Sequence, residues 1–96
     1  MDREGNAGAA ARLHYGMRVT VLLFASYADA LGERSLTLDL PTGARAAAVV
    51  DALRRRPGAG ALPPAPLVAV NERYAGPDAF LADGDVVAVL PPVAGG

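Results

Sequence analysis

The stretch that decides the fold occupies residues 86–92 and reads VVAVLPP. Its apolar part, Val86 to Leu90, places large side chains on both faces of a β-strand, which is typical of a strand in the middle of a sheet. Pro91 and Pro92 fix two successive φ angles and remove two N–H donors. The strand therefore cannot continue, and we expect the chain to project from the sheet in an extended form.

A second segment of the same kind lies near the start, at residues 18–25, RVTVLLFA. Alternation would place Val19, Val21 and Leu23 on one face, with Leu22 and Phe24 on the other. The second face either meets protein or is exposed to a partner. Because both segments belong in the centre of a sheet, we predict that the first and last strands lie side by side beneath one helix.

Weaker patterns between these strands predict a compact α+β domain with the order strand, strand, helix, strand, strand. The predicted pieces are a helical turn at Ser26–Leu31 ended by Gly32, a half-buried strand at Ser35–Leu40 stopped by Pro41, a helix from about Gly43 to Arg56 capped by Thr42, a loop at 57–66, a strand at Leu67–Val70, a turn at Asn71-Glu72 with an Arg73-Tyr74 extension, and a turn at Asp83-Gly84-Asp85.

The predicted core is modest, because only five residues are aromatic. We expect Val and Leu to form it together with Phe24 and Phe80, and Phe80 and Leu81 to insert into it. The buried stripe of the main helix would consist of Ala46, Val49, Val50 and Leu53. Asn71 is expected in a left-handed turn conformation.

Residues 1–16 follow neither the strand nor the helix period and predict a flexible N-terminal leader. The domain is therefore predicted at 17–96, with an extended tail at 91–96. Met17, directly before the first patterned segment, is a candidate native start. The leader lacks the basic start and apolar centre of a secretion signal, and no stretch approaches the roughly 20 apolar residues of a membrane span. A cytoplasmic protein that binds no membrane is the expectation.

The composition excludes several chemistries. All nine basic residues are arginine and the chain has no cysteine, so Schiff-base, phosphate-loop lysine, thiol and thiolate-metal chemistry are absent. The histidine, His14, lies in the leader, and Asp83 and Asp85 are interpreted as turn formers, so no metal site is expected. With a net charge of -1 and no basic face, no nucleic-acid partner is expected. The run Arg54–Arg56 is interpreted as the solvated end of the main helix.

The remaining candidate for chemistry is the main chain of the tail. Gly95 and Gly96 carry no side chain, so they can thread a narrow slot and leave the terminal carbonyl carbon unhindered. A free carboxylate is a poor electrophile near neutral pH and must be activated. Adenylation by a partner enzyme would make it open to attack by a persulfide sulfur or by an amine.

From residue 17 to residue 96 the chain resembles the small subunit of molybdopterin synthase (MoaD), a ubiquitin-like sulfur carrier. The resemblance rests on LLFA at 22–25, ALG at 30–32, VN at 70–71 and LADGDVVAVLPPVAGG at 81–96. It implies a β-grasp fold, with a mixed sheet of four or five strands packed on one main helix.

The resemblance also implies a mechanism. Gly96 would be adenylated by a MoeB-type adenylyltransferase that uses ATP, and a persulfide donor would convert it to a thiocarboxylate. The tail residues Pro91, Pro92, Val93, Ala94 and Gly95 would thread into the large subunit (MoaE), with Leu22, Phe24 and Leu90 at the docking surface. Sulfur would pass to cyclic pyranopterin monophosphate in molybdenum cofactor biosynthesis. The small subunit would bind no cofactor, and catalytic side chains are expected on the large subunit.

Two kinds of alternative remain open. Carriers for thiamine or cysteine biosynthesis share the terminal Gly-Gly and would deliver sulfur to other acceptors. A ubiquitin-like protein modifier or a plain interaction module would use the same fold without sulfur chemistry.

Overall fold

The computed structural model describes residues 16–62 and 64–92; residues 1–15, Pro63 and residues 93–96 lie outside the described part. The expected leader and the last four residues of the expected tail therefore fall almost entirely outside it. In chain order the elements are β1 (Gly16–Leu23), α1 (Ser26–Leu31), β2 (Ser35–Pro41), α2 (Ala46–Arg54), a 3-10 turn (Ala59–Ala61), β3 (Leu67–Val70), β4 (Arg73–Ala75) and β5 (Val86–Leu90).

The five strands form one mixed sheet in the order β2-β1-β5-β3-β4. The inner strands β1 and β5 run parallel, with Thr20 opposite Val86 and Leu22 opposite Ala88. The outer pairs, β1 with β2, β3 with β5 and β3 with β4, are antiparallel. The prediction that the first and last strands are central neighbours is confirmed, and the architecture is the α+β sheet expected from the sequence.

The core lies between one face of this sheet and the helices. Four valines of the inner strands are fully buried: Val19, Val21, Val87 and Val89. The helix α2 contributes Ala46, Val49 and Leu53 to the same cluster, as its periodicity predicts, whereas Val50 is only partly buried. Alternation places the intervening side chains of these strands on the other face of the sheet.

The expected aromatic core is wrong. Phe24 is 44% exposed and Phe80 is 65% exposed, while Tyr27, at 1%, is the buried aromatic side chain among the described residues. Phe24 follows the last residue of β1, and Ala25 then turns the chain at a φ of 51°. Phe80 lies outside because its ring stacks under the Arg45 guanidinium, 4.4 Å from ring centroid to carbon, while its neighbour Leu81 is buried.

The predicted start of the main helix is also wrong. Thr42 does not cap it; Gly43 adopts a φ of 90° and the Ala44 N–H donates to the Pro41 carbonyl, which makes a turn. The helix begins at Ala46, whose N–H donates to the Ala79 carbonyl at 2.8 Å. A tertiary contact thus satisfies a helix N–H that the sequence assigns to a side-chain cap.

The remaining boundaries differ by one or two residues. Strand β1 begins at Gly16, so the predicted leader loses its last residue to the sheet, and α2 ends at Arg54, two residues before the predicted end. The helical turn Ser26–Leu31 is confirmed, with Gly32 left-handed at φ 76°. Within the described ranges, no helix is both long and apolar enough to cross a membrane.

Candidate functional site: the tail exit and the outer apolar face

The face of the sheet that points away from α2 carries a group of apolar side chains. Register places Leu22 beside Ala88, Ala88 beside Ala69, and Leu90 beside Leu67 on this side. Phe24 extends the row of β1, because its N–H still donates to the Val89 carbonyl at 3.3 Å. We call this surface the outer apolar face; its members are Leu22, Phe24, Leu67, Ala69, Val86, Ala88 and Leu90.

The larger side chains of the outer apolar face are exposed or half-buried. Phe24 is 44% exposed and Val86 is 38% exposed, while Leu22 and Leu90 are half-buried. At the sheet edge, Tyr74 pairs with Ala69 and is 75% exposed, so it extends the surface. A contiguous apolar face of this kind is typical of an interaction surface. All three predicted docking residues, Leu22, Phe24 and Leu90, lie on it.

The tail leaves the sheet next to this face. Strand β5 ends at Leu90, and the two prolines that follow belong to no strand: Pro91 is half-buried and Pro92 is exposed. Because β1 and β5 are parallel, Phe24 lies at the same end of the sheet as Pro91. The predicted tail residues Val93, Ala94, Gly95 and Gly96 lie outside the described part. Four residues beyond Pro92 span at most about 14 Å.

The opposite end of β5 is anchored by a polar network. The Asn71 side chain donates to an Asp85 carboxylate oxygen at 2.9 Å and accepts from the Val86 N–H at 3.0 Å. The second Asp85 oxygen accepts from the Ala82 N–H, and an Asp83 oxygen accepts from the Arg18 N–H at 2.7 Å. Both carboxylates therefore hold backbone groups, in agreement with their interpretation as turn formers. The left-handed conformation predicted for Asn71 is confirmed at φ 50°.

The bonds of the Asn71 side chain were missed from the sequence. A signal existed, because Asn71 follows one apolar strand and Asp85 precedes another, and antiparallel pairing of β3 with β5 brings these two ends together. Using it would have required the strand order, which the individual strand patterns do not specify.

The tail-exit end of the molecule is packed around α1. The Tyr27 phenol is buried, which raises its pKa, and the charge of Arg54 opposes that shift. Gly58, at φ 90°, lies so close to α1 that an added Cβ would be 2.5 Å from the Ala30 carbonyl oxygen. Arg56 donates to Glu33 at 2.9 Å, which ties the end of α2 to the loop after α1.

Side-chain chemistry is sparse in this part of the chain. Among residues 16–62 and 64–92, no group of three or more His, Cys, Asp or Glu side chains could hold a metal ion. A groove of about 450 Å3 runs between α2 and the β3–β4 edge, lined mainly by alanine, valine and proline, with Asp51 and Arg54 as its charged residues. What the arrangement offers is a proline-led tail beside an apolar surface.

The chain is similar in sequence to a known protein family and to a curated relative. The model of the ThiS family matches residues 21–96. A molybdopterin synthase sulfur carrier subunit of Arabidopsis thaliana is 31% identical over 81 residues, which cover 83% of this chain and 84% of the relative.

Three solved structures share the fold. A protein described as molybdopterin converting factor subunit 1 of Pyrococcus furiosus has a TM-score of 0.70 and 32% identity, over 80% of this chain and 99% of that one. SAMP1, a small archaeal modifier protein of Haloferax volcanii, has a TM-score of 0.66 and 30% identity, over 82% and 99%. Subunits 1 and 2 of the molybdopterin-converting factor of Helicobacter pylori form a complex, whose match has a TM-score of 0.60 and 25% identity, over 83% and 100%.

Proposed function

The chain belongs to the ThiS family, and from that premise we propose that it is a sulfur carrier whose working group is the carboxyl group of Gly96. One observation carries the proposal. The central strand β5 is followed directly by two prolines at the margin of an exposed apolar face. A partner that docks on this face would receive the tail in a fixed direction. The similarity to a molybdopterin synthase sulfur carrier subunit of Arabidopsis thaliana supports this function.

The chemistry starts from an ionised carboxylate. A MoeB-type adenylyltransferase would bring ATP, and a carboxylate oxygen of Gly96 would attack its α-phosphorus and release pyrophosphate. A persulfide sulfur would then attack the carbonyl carbon and release AMP, and cleavage of the remaining S–S bond by a thiol would leave the thiocarboxylate. The two terminal glycines keep the carbonyl carbon accessible to each of these reactants.

The acceptor in this proposal is cyclic pyranopterin monophosphate, bound by a MoaE-like large subunit. The two-subunit complex from Helicobacter pylori supports a partner of this kind. The chain itself would contribute the outer apolar face, the tail and the sulfur atom. Catalytic side chains would belong to the large subunit, so no bound cofactor is proposed for this chain.

Intact mass tests the carrier function. After incubation with the activating enzyme, ATP and a persulfide donor, the chain should gain about 16 Da, since sulfur replaces one oxygen of the carboxylate. Deletion of Gly96, or its extension by one alanine, should abolish the gain while the thermal unfolding transition is unchanged. An unmodified wild-type mass under conditions that thiolate a known carrier would refute the proposal.

A second candidate function is protein modification, which the similarity to an archaeal modifier protein favours. A modifier would form amide bonds between Gly96 and lysines of other proteins. Affinity purification under denaturing conditions separates the two functions, because a modifier yields covalent conjugates and a dedicated carrier does not. Recovery of a thiazole synthase or a cysteine synthase in place of a large pterin subunit would redirect the sulfur to thiamine or cysteine biosynthesis.

A further inference from the structure

We propose that none of this protein's own side chains accepts the activated acyl group of Gly96, either in the same chain or in a second copy. The inference rests on the proposed function, because it concerns the period between activation of Gly96 and delivery. Two observations support it. The chain has nine arginines and no lysine, and four of these arginines lie around the tail exit.

The sequence supplies no side chain that readily attacks an activated carboxyl group. The nine basic residues are all arginine, and lysine and cysteine are absent from the 96 residues. An arginine guanidinium stays protonated and delocalised at any physiological pH, whereas a lysine ammonium, with a pKa of about 10.4, always has a reactive neutral fraction. Hydroxyl groups are weak nucleophiles unless a base activates them, and residues 16–96 hold no histidine.

The fold concentrates arginines where the tail leaves. The Leu23 N–H donates to the Arg34 carbonyl at 2.8 Å, and Leu23 lies opposite Val89, so Arg34 is level with the end of β5. Arg54 lines the same groove as Pro66. Pro66 directly precedes Leu67, which pairs with Leu90 at the end of β5. Arg55 and Arg56 follow at the same end of α2.

These arginines lie within reach of the terminal carbonyl carbon. Six residues from Pro91 to Gly96 span up to about 20 Å when extended. The far end of the molecule is beyond that reach: Gly16, opposite Pro41, precedes Phe24 by eight strand positions, which is about 26 Å along the sheet. Arg45, at the start of α2, lies about 14 Å farther along the helix than Arg54.

A lysine at the tail-exit end would therefore face a high local concentration of activated carboxyl. Its neutral amine would attack the carbonyl carbon, a C–N bond would form, and the C–O bond to AMP would break with the electron pair leaving on AMP. The amine would lose a proton to solvent, and the carrier would end as a closed ring. Arginine keeps the positive charge at these positions, as in the Arg56–Glu33 pair, without this side reaction.

A C-terminal thioester of the full chain, produced by intein cleavage with a small thiol, tests the inference without any partner enzyme. In this reaction the C–S bond breaks and the thiol leaves. Three lysine variants are compared with wild type: Arg54→Lys and Arg55→Lys at the tail-exit end, and Arg45→Lys at the far end. Arg55→Gln separates loss of the guanidinium from gain of an amine.

We expect wild type and Arg55→Gln to hydrolyse without side-chain amide bonds, as read by intact mass and peptide mapping. Arg54→Lys and Arg55→Lys should form an internal amide at a rate independent of protein concentration, about tenfold or more above Arg45→Lys, since effective concentration falls steeply beyond the reach of the tail. Side-chain adducts in wild type, or equal rates for the three lysine variants, would overturn the inference. Neither outcome bears on whether an activating enzyme thiolates Gly96.

Discussion

Tyr27 is the aromatic residue around which the tail-exit end is built. Its side chain is 1% exposed, and burial raises the pKa of the phenol because the charged phenolate would lose its hydration. The sequence did not single it out, since a tyrosine in a short helical turn is as often exposed as buried. The sequence predicted Phe24 and Phe80 as core aromatic residues, and both lie at the surface.

The raised pKa predicts a loss of stability in alkali. Below about pH 10 both states keep the phenol proton, but above it the unfolded chain releases the proton more readily than the folded one. The unfolded state then binds fewer protons, so the free energy of unfolding falls as the pH rises. Between about pH 9 and about pH 11, the free energy of unfolding measured with urea should fall less steeply in Tyr27→Phe than in wild type. Tyr74→Phe, at a 75% exposed position, should follow wild type.

Gly58 fixes the proline-rich loop against α1. An alanine here would require both a φ of 90° and a Cβ 2.5 Å from the Ala30 carbonyl oxygen. We expect Gly58→Ala to lower the free energy of unfolding by roughly 1–3 kcal/mol, the cost of strained left-handed backbone before the close contact is added. Gly60→Ala, where an added Cβ meets nothing within 4 Å, is the matched control. Equal stability of the two variants would contradict the close approach.

At the scale of elements, the apolar patterns of β1 and β5 predicted their neighbouring central positions, because a strand that is apolar on both faces has few other places in a sheet. The start of α2 could not be predicted in this way. The Ala46 N–H is satisfied by the Ala79 carbonyl, 33 positions along the chain, and no local residue pattern encodes such a contact. The outer apolar face was anticipated at Leu22, Phe24 and Leu90, whereas Leu67 and Tyr74 required the strand order.

The turn between β3 and β4 provides a test of the network that anchors β5. Asn71→Gly keeps the left-handed conformation at φ 50° but removes the bonds to Asp85 and to the Val86 N–H. We expect a loss of about 1–2 kcal/mol in the free energy of unfolding by chemical denaturation. Glu72→Gly, at φ 72° in the same turn, should be neutral or stabilising, because glycine relieves its backbone strain. A double-mutant cycle with Asp85→Ala would assign the loss to the side-chain pair.

At the scale of the whole molecule, Phe24, Leu90, the exit of the tail and four arginines lie at one end, and the polar turns around Asn71 and Asp85 occupy the other. This polarity suits a protein that is held by a partner at one end while its tail enters that partner. The two exposed phenylalanines distinguish the ends, since Phe24 lies beside the tail exit and Phe80 stacks on Arg45 at the far end.

Exchange of these phenylalanines tests the docking surface. We expect Phe24→Ala to weaken binding to a MoaE-like large subunit by about tenfold or more, as truncation of a central aromatic anchor usually does. Phe80→Ala removes an equally large and more exposed ring and should leave the affinity within about twofold. Isothermal titration with each folded variant gives the comparison. A larger effect of Phe80→Ala would place the partner at the wrong end of the sheet.

Single-turnover sulfur transfer addresses the proposed function itself. The thiocarboxylated chain is mixed with the large subunit and cyclic pyranopterin monophosphate, and the mass of the chain is followed with time. We predict a loss of about 16 Da from the chain, as oxygen replaces the donated sulfur, in step with formation of the dithiolene product. A thiocarboxylate that persists under these conditions, with a large subunit that is active with another carrier, would contradict the assignment.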